Sequence, residues 1–475
     1  MSVEPSNFYA RWRVQNGIVA ALREGDEPPP ERLLQAVWQH QRIRRDNLTA
    51  SDGRSVRILH PGFLSREGGP DFRGAIVQFE NELPRSGDIE VDLRSNGWQA
   101  HGHDRNPTFK NVILHVTWEE ERTNKSPHPV LTLSKRLDAP VNELNTWLGT
   151  EASESLPPTL RGLCNAPLRE LTGEQLASLL NEAGWVRFCS KANQFQARAR
   201  QSGWEQSLWE GLFRALGYKH NPWPMQCLAE KKSRWFGRGL DAEDLQSRLL
   251  GLSGLLPDEL TRTQKSADTY LSRMWNQWWR ERDEYADCTL PRALWKLHGQ
   301  RPANHPQRRL ALAAHWLSTD DLPGKVTRWC AAAETGKQAE ASLLKLLQSP
   351  DDFWAWHWTM RSPRLKRAQP MLGAARVTDV AVNVILPWLW ARAAEGKNEK
   401  VQRDLQERFF SWPAAEDNST LKLARQRLLE DTRAGVLKTA AMQQGLIQIV
   451  RDFCDRSNAV CDHCRFPELV KARFR

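Results

Sequence analysis

Nowhere in the 475-residue sequence do eighteen or so apolar residues follow one another, so no membrane-spanning helix is expected. Met1 to Asn16 also lacks an apolar run behind a basic start, which argues against a secretory leader and for a cytoplasmic protein. No fixed repeat period stands out, so a solenoid is not expected. Cysteine is sparse at eight residues, and in a reducing compartment clustered cysteines read as metal ligands rather than disulfides.

What is present fits a folded chain. Hydrophobic residues make up 40% and charged residues 26%, which excludes global disorder. A chain this long is expected to hold two domains or three. The formal charge of +10 suits a polyanionic partner and equally a mildly basic soluble enzyme. Tryptophan is abundant at 22 residues, and its helical spacing beside Leu and Ala places most of it in the core.

Taken in order, Glu31 to Ile43 recurs at helical spacing behind a proline run, which predicts a helix. Ser51-Asp52-Gly53 reads as a hairpin turn before a strand at Ser55–Leu59. Strands are predicted at Phe72–Phe79, Gly87–Leu93, Asn111–Trp118 and Pro129–Ser134. A boundary marked by Pro157-Pro158 follows, and the strand signal then nearly vanishes. Helices are predicted at Thr172–Arg200, Gln206–Leu216, Ala242–Leu256, Thr263–Arg282, Pro306–Leu317 and Leu421–Leu429. The expected fold is an α/β domain over residues 1–150 with a mixed sheet, then a larger α-helical domain over 151–475 ending in a cysteine cluster at 454–464.

Chemistry concentrates in Gly69-Pro70-Asp71-Phe72, Gly87-Asp88-Ile89-Glu90-Val91-Asp92 and Trp98 to His103. Alternation with Ile89, Val91 and Leu93 puts Asp88, Glu90, Asp92 and Arg94 on one face of a strand. Adjacent carboxylates repel unless a cation or a hydrogen-bond network holds them, which raises the prospect of a metal site. The plainer alternative is a charged strand face in water. His115, inside an apolar strand, reads as a satisfied core histidine.

A helix bearing Glu, a hairpin, Pro-Asp and then an acidic pair two apart resembles the PD-(D/E)xK, restriction-endonuclease-like superfamily. The resemblance implies Asp71 and Glu90 as ligands of Mg²⁺ or Mn²⁺, with Glu31 as accessory ligand. Asp92 stands where that superfamily places its lysine, so Arg94, or His101 or His103 as proton-transfer group, would substitute. Trp38-Gln-His-Gln, Gly68-Gly-Pro-Asp-Phe-Arg-Gly-Ala, Gly87-Asp-Ile-Glu-Val, Trp98-Gln-Ala-His-Gly-His and Asn111-Val-Ile-Leu-His-Val are similar to a bacterial family catalogued as domain of unknown function 2851. The likeness extends over nearly the whole chain and implies no particular activity.

Cys454, Cys461 and Cys464 have chelating spacing, with Cys164 the preferred fourth ligand over the crowded His463. The arrangement is similar to the iron–sulfur staple of some helicase- and CRISPR-associated exonucleases, and a zinc site would give the same pattern. Reduced cysteines holding no metal are the alternative. Cys189, Cys227, Cys288 and Cys330 read as core. Arg187, Lys191, Arg198 and Arg200, then Lys231 to Arg238, then Trp275, Trp278 and Trp279 with Arg280 and Arg282, interleave cations with aromatics as single-stranded nucleic acid would require.

The leading expectation is a metal-dependent nuclease or nuclease-derived nucleic-acid-processing protein. The alternatives are a catalytically silent nucleic-acid-binding or scaffold protein and a metal-dependent hydrolase of a small substrate.

Overall fold

The computed structural model describes residues 6–18, 29–65, 69–119, 126–148, 168–237, 239–262, 269–298, 300–332, 334–416, 419–429, 435–454 and 464–474. A mixed sheet near the N-terminus is followed by a largely helical chain, as the patterning predicts. The chain divides into two compact units, residues 1–193 with 416–475, and residues 194–415. The C-terminal helices thus belong to the first unit, which is continuous in sequence from the N-terminus to residue 193.

The first unit opens with α1 (Phe8–Gln15) and α2 (Glu31–Gln39). The sheet strands are β1 (Leu48–Thr49), β2 (Ser55–His60), β3 (Phe63–Leu64), β4 (Phe72–Phe79), β5 (Arg85–Asp92), β6 (Val112–Thr117) and β7 (Val130–Thr132). Their order is β1-β2-β4-β5-β6-β7, with β3 paired to β4. The meander through β5 is antiparallel, whereas β5–β6 and β6–β7 are parallel. Parallel pairing needs a crossover, and the chain between β5 and β6 supplies it with the short α3 (Gly97–Ala100) and two tight turns.

α2 starts where the proline run ends, with Pro30 as N-cap, and buries Leu33, Leu34, Val37 and Trp38. It packs on β5 and on α4 (Val141–Leu148). The Trp38 indole N–H donates to the Pro61 carbonyl at 2.9 Å, fixing the helix to the chain that leaves β2. Truncating so large a buried side chain would cost about 3–5 kcal/mol. β5 is interior to the sheet, and its last four residues, Ile89 to Asp92, are buried on both faces.

The helical part of the first unit includes the start of α5 (Gly173–Ser202) and the helices Ser419–Leu428, Ala440–Ile449 and Phe466–Phe474. Tyr9, Trp12, Leu176, Leu180, Leu446 and Phe466 belong to its core. Within that core Arg13 meets Asp452 at 2.8 Å, and the Tyr9 hydroxyl donates to the same carboxylate at 2.7 Å.

The second unit is helical. Its helix Ala242–Leu252 packs against both Tyr270–Glu281 and Pro306–Ser318. Capping boxes Asp241/Asp244 and Thr269/Ser272 start the first two of these. Most of the tryptophans are core as expected, with Trp235, Trp316, Trp354, Trp388 and Trp412 almost wholly buried. Among the described residues no helix is long and apolar enough to cross a membrane.

Candidate metal centre

The strand pair β4–β5 sets the site. Phe72 lies opposite Ile89 and Ala75 opposite Gly87, so the register shifts and β4 carries an extra residue between them. The Gly74 N–H donates to Asp88 Oδ1 at 3.1 Å within this bulge, which takes Asp88 out of the acid cluster. At the mouth of β4 the Asp71 N–H donates to Glu90 Oε2 at 3.1 Å. In return, the Val91 N–H donates to Asp71 Oδ2 at 3.1 Å. The two carboxylates are thus locked side by side through backbone groups.

α2 brings the third acid. Gln35, one turn beyond Glu31, donates from Nε2 to Asp71 Oδ1 at 2.9 Å and to Glu31 Oε1 at 3.3 Å. Glu90 and Asp92 alternate with Ile89 and Val91 as the sequence predicts, yet they are only 6% and 3% exposed. A charged strand face bathed in water is thereby excluded. The strand ends at Asp92, so the alternation does not carry on to Arg94. Arg94 instead pairs with Glu119 at 2.8 Å at the surface, which corrects the expectation that it stands in for lysine.

The histidines arrive from the crossover. Gly97 opens α3 against the Asp92 carboxylate, and a Cβ there would lie 2.8 Å from it, so only glycine permits the approach. Gly102, at φ +70°, turns the chain through the left-handed region between His101 and His103. His101 Nδ1 comes to 3.2 Å from Asp92 Oδ1, and His103 Nε2 to 3.2 Å from Glu90 Oε1. The His103 ring stacks on Phe109 at 4.0 Å and meets Trp98 edge-on at 5.4 Å. Donor atoms of Asp92, His101 and His103 all lie within 4.8 Å of one another.

Two participants were not expected. Gln35 is signalled only by its place one helical turn after Glu31. His115, fully buried on β6, is placed by parallel register opposite Glu90, and its Nε2 lies 2.9 Å from Asp92 Oδ2. It is a core histidine, as expected, but one that holds a site carboxylate.

The electrostatics follow from packing like charges away from water. Desolvation raises the Asp71 carboxyl to about 7, helped by the neighbouring Glu31 and Asp92 and opposed by the Val91 N–H and Gln35. Glu90 is pushed up to about 9 by desolvation, then by Asp71, with Asp92 and Glu31 adding to it. Glu31 is raised by desolvation and by Asp92, with His101 opposing. Burial lowers His103, favouring its neutral imidazole. Without a cation, Asp71 and Glu90 hold their protons to higher pH than free carboxylates do. A divalent ion would neutralise the pair with both ionised, so the chemistry of these donors fits one.

The stretch from Glu31 through these strands, continuing to residue 419, matches the family described as "Protein of unknown function (DUF2851)". The chain belongs to the DUF2851 family. No curated protein and no solved structure matches it.

The remaining residues expected to have a role in this DUF2851 protein are cysteines, basic residues and tryptophans. Cys454 and Cys464 pack against the helical core of the first unit, whereas Cys164, Cys461 and His463 fall outside the described residues. Cys189, Cys227 and Cys288 are buried, as expected of core thiols, and Cys330 is half-buried. Arg187 and Lys191 both donate to Gln444 at 2.8 Å, and Arg198 grips Glu210 through two bonds of 2.7 and 2.9 Å. Lys232 lies over the Phe236 ring, and Trp235 is buried. Trp275 and Trp278 are core, which leaves Trp279, 39% exposed, with the Arg282 guanidinium 3.1 Å over its ring. Most of the basic and aromatic clustering therefore serves packing.

Proposed function

We propose that this DUF2851 protein is a divalent-metal-dependent phosphodiesterase acting on nucleic acid, with Asp71 and Glu90 as metal ligands and Glu31 as an accessory oxygen donor. The observation that carries the reading is the pairing of Asp71 with the buried Glu90 through backbone N–H groups, with Glu31 on α2 tied to Asp71 through Gln35 and the two paired carboxyls raised to about 7 and 9. A Mg²⁺ or Mn²⁺ ion bound there would polarise a phosphodiester and make a water more acidic. Gln35 and the Val91 N–H orient Asp71, and the Asp71 N–H orients Glu90.

The order of a Glu-bearing helix, an antiparallel pair carrying Asp and Glu, and a crossover to a parallel strand supports the restriction-endonuclease-like reading. His101 is more than half exposed, so the cluster opens to solvent, which suits a polymeric substrate better than an enclosed small molecule. The exposed Trp279 with Arg282 supports a nucleic-acid partner, since single strands stack on aromatic faces and pair with guanidinium groups.

Incubation of the purified protein with Mg²⁺ or Mn²⁺ and single-stranded DNA, duplex DNA or RNA tests the proposal. Cleavage that disappears in Asp71→Asn and Glu90→Gln supports it, and no cleavage of any substrate with either metal ends it. Asp92 in the place of the expected lysine favours a second reading, a silent nucleic-acid-binding protein that keeps the fold. Salt-dependent binding without cleavage would select that reading. A cysteine-held zinc ion or iron–sulfur cluster at Cys164, Cys454, Cys461 and Cys464 is part of the proposal, and elemental analysis with an absorption spectrum of anaerobically purified protein tests it.

A further inference from the structure

We infer that Asp92, His101 and His103 form a second metal site, one that takes a borderline transition ion such as Mn²⁺, Fe²⁺ or Zn²⁺ through two imidazoles and a carboxylate. It is chemically different from the all-oxygen set of Glu31, Asp71 and Glu90, and it stands whether or not the protein cleaves nucleic acid. Imidazole donors select these ions over Mg²⁺, which keeps to oxygen.

Donor spacing is the first argument. Donors on one ion with bonds of about 2.1 Å lie roughly 3–4 Å apart. Asp92 Oδ1 and His101 Nδ1 are already 3.2 Å apart, and all three donor atoms fall within 4.8 Å of one another. A closure of an ångström or less on the half-exposed side of His101 completes the set.

The unsatisfied histidine is the second argument. His103 Nε2 is buried and 3.2 Å from Glu90 Oε1, yet no hydrogen bond of proper geometry reaches it. Its ring is clamped between Phe109 and Trp98, so it cannot swing to water for relief. A metal ion would give that nitrogen its partner.

The supporting shell is the third. His115 Nε2, 2.9 Å from Asp92 Oδ2, fixes one carboxylate oxygen and leaves Oδ1 turned toward His101. Such outer partners set ligand orientation at metal centres. Gly97 and Gly102 are the two backbone concessions that allow the approach: a Cβ at 97 would strike the Asp92 carboxylate, and residue 102 has positive φ. Glu90 lies between the two loci, with Oε2 toward Asp71 and Oε1 toward His103.

The test uses Mn²⁺ added to the metal-free full-length chain in excess Mg²⁺, which fills oxygen-only sites, and Mn²⁺ avoids thiolates. Pulsed electron paramagnetic resonance of the bound ion is expected to show ¹⁴N coupling from imidazole. His101→Gln with His103→Gln is expected to weaken this Mn²⁺ at least 100-fold and remove the coupling. Asp71→Asn is expected to retain both. His115→Asn, a positioning change, is expected to lower affinity about 10–100-fold while the ¹⁴N coupling persists. Absence of ¹⁴N coupling in the unmodified protein, no Mn²⁺ bound in excess Mg²⁺, or unchanged binding in the double variant overturns the inference. Because the unmodified protein alone can give the first two results, misfolding of a variant does not shelter it.

Discussion

Replacing Asp71 by Asn separates charge from shape at the point where the acids meet. Asn keeps an oxygen for the Val91 N–H, and the Gln35 amide can turn its oxygen to the new amino group, so the local bonds are satisfiable. Only the ionisable proton is lost. An acid whose pKa is raised by folding favours the folded chain below its unfolded value and loses that contribution as pH rises through its folded value. For Asp71 that window runs from 3.8 to about 7, and for Glu90 from 4.5 to about 9. The metal-free protein should therefore lose stability as pH rises from about 5 to 9. At roughly 1.4 kcal/mol per pKa unit, the Asp71 shift has a ceiling of about 4 kcal/mol. Glu90 shares the same repulsion, so about 2 kcal/mol is the relief expected from Asp71→Asn at pH 8. A change of that size moves Tm by roughly 4–8 °C for a unit of this length. Thermal melts from pH 5 to 9 in EDTA, and again in 10 mM MgCl₂, provide the assay. The variant should melt higher than the unmodified protein at pH 8 without metal, with the gap narrowing as pH falls to 5, and gain less from Mg²⁺. Stability of the metal-free unmodified protein that is flat or rising across pH 6–9, or a variant less stable at pH 8, would refute the electrostatic reasoning.

Other perturbations probe the supports of the site and of its unit. Gly97→Ala places a Cβ against the Asp92 carboxylate and should cost about 1–3 kcal/mol in stability while weakening Mn²⁺ binding, read by melts and metal titration. Asp452→Asn strands the buried Arg13 guanidinium and weakens the Tyr9 bond, so a loss of about 3–5 kcal/mol is expected in thermal or denaturant unfolding. Gln35→Leu removes the donor shared by Asp71 and Glu31 and should raise the metal dissociation constant several-fold with little change in fold, measured by calorimetric titration.

The local elements were legible because each carried its own period or punctuation. The proline run before Glu31 and the Ser51-Asp52-Gly53 turn located α2 and the first hairpin. Strands β4, β5 and β6 fell within a residue or two of the alternating or β-branched runs. The acid cluster was legible as a set, since Glu31, Asp71, Glu90, Asp92, His101 and His103 do share one neighbourhood. What stayed hidden depends on long-range register and burial. His115 reaches Asp92 only because β6 runs parallel to β5, and the return of the C-terminal helices to the first unit leaves no local mark. Arg94 was misplaced because the period of two was carried one residue pair past the end of the strand. The basic runs misled for a related reason: Arg198 and Lys232 look like free cations in sequence, but Glu210 and Glu205 approach them in the fold.

Anomalous diffraction from Mn²⁺-soaked crystals, with data on both sides of the manganese absorption edge, addresses the central claim that the acids of α2, β4 and β5 hold a divalent cation. A peak is expected about 2.2 Å from carboxylate oxygens of both Asp71 and Glu90. Manganese bound elsewhere with none at Asp71 and Glu90, or no manganese in the crystal at millimolar concentration, would contradict it.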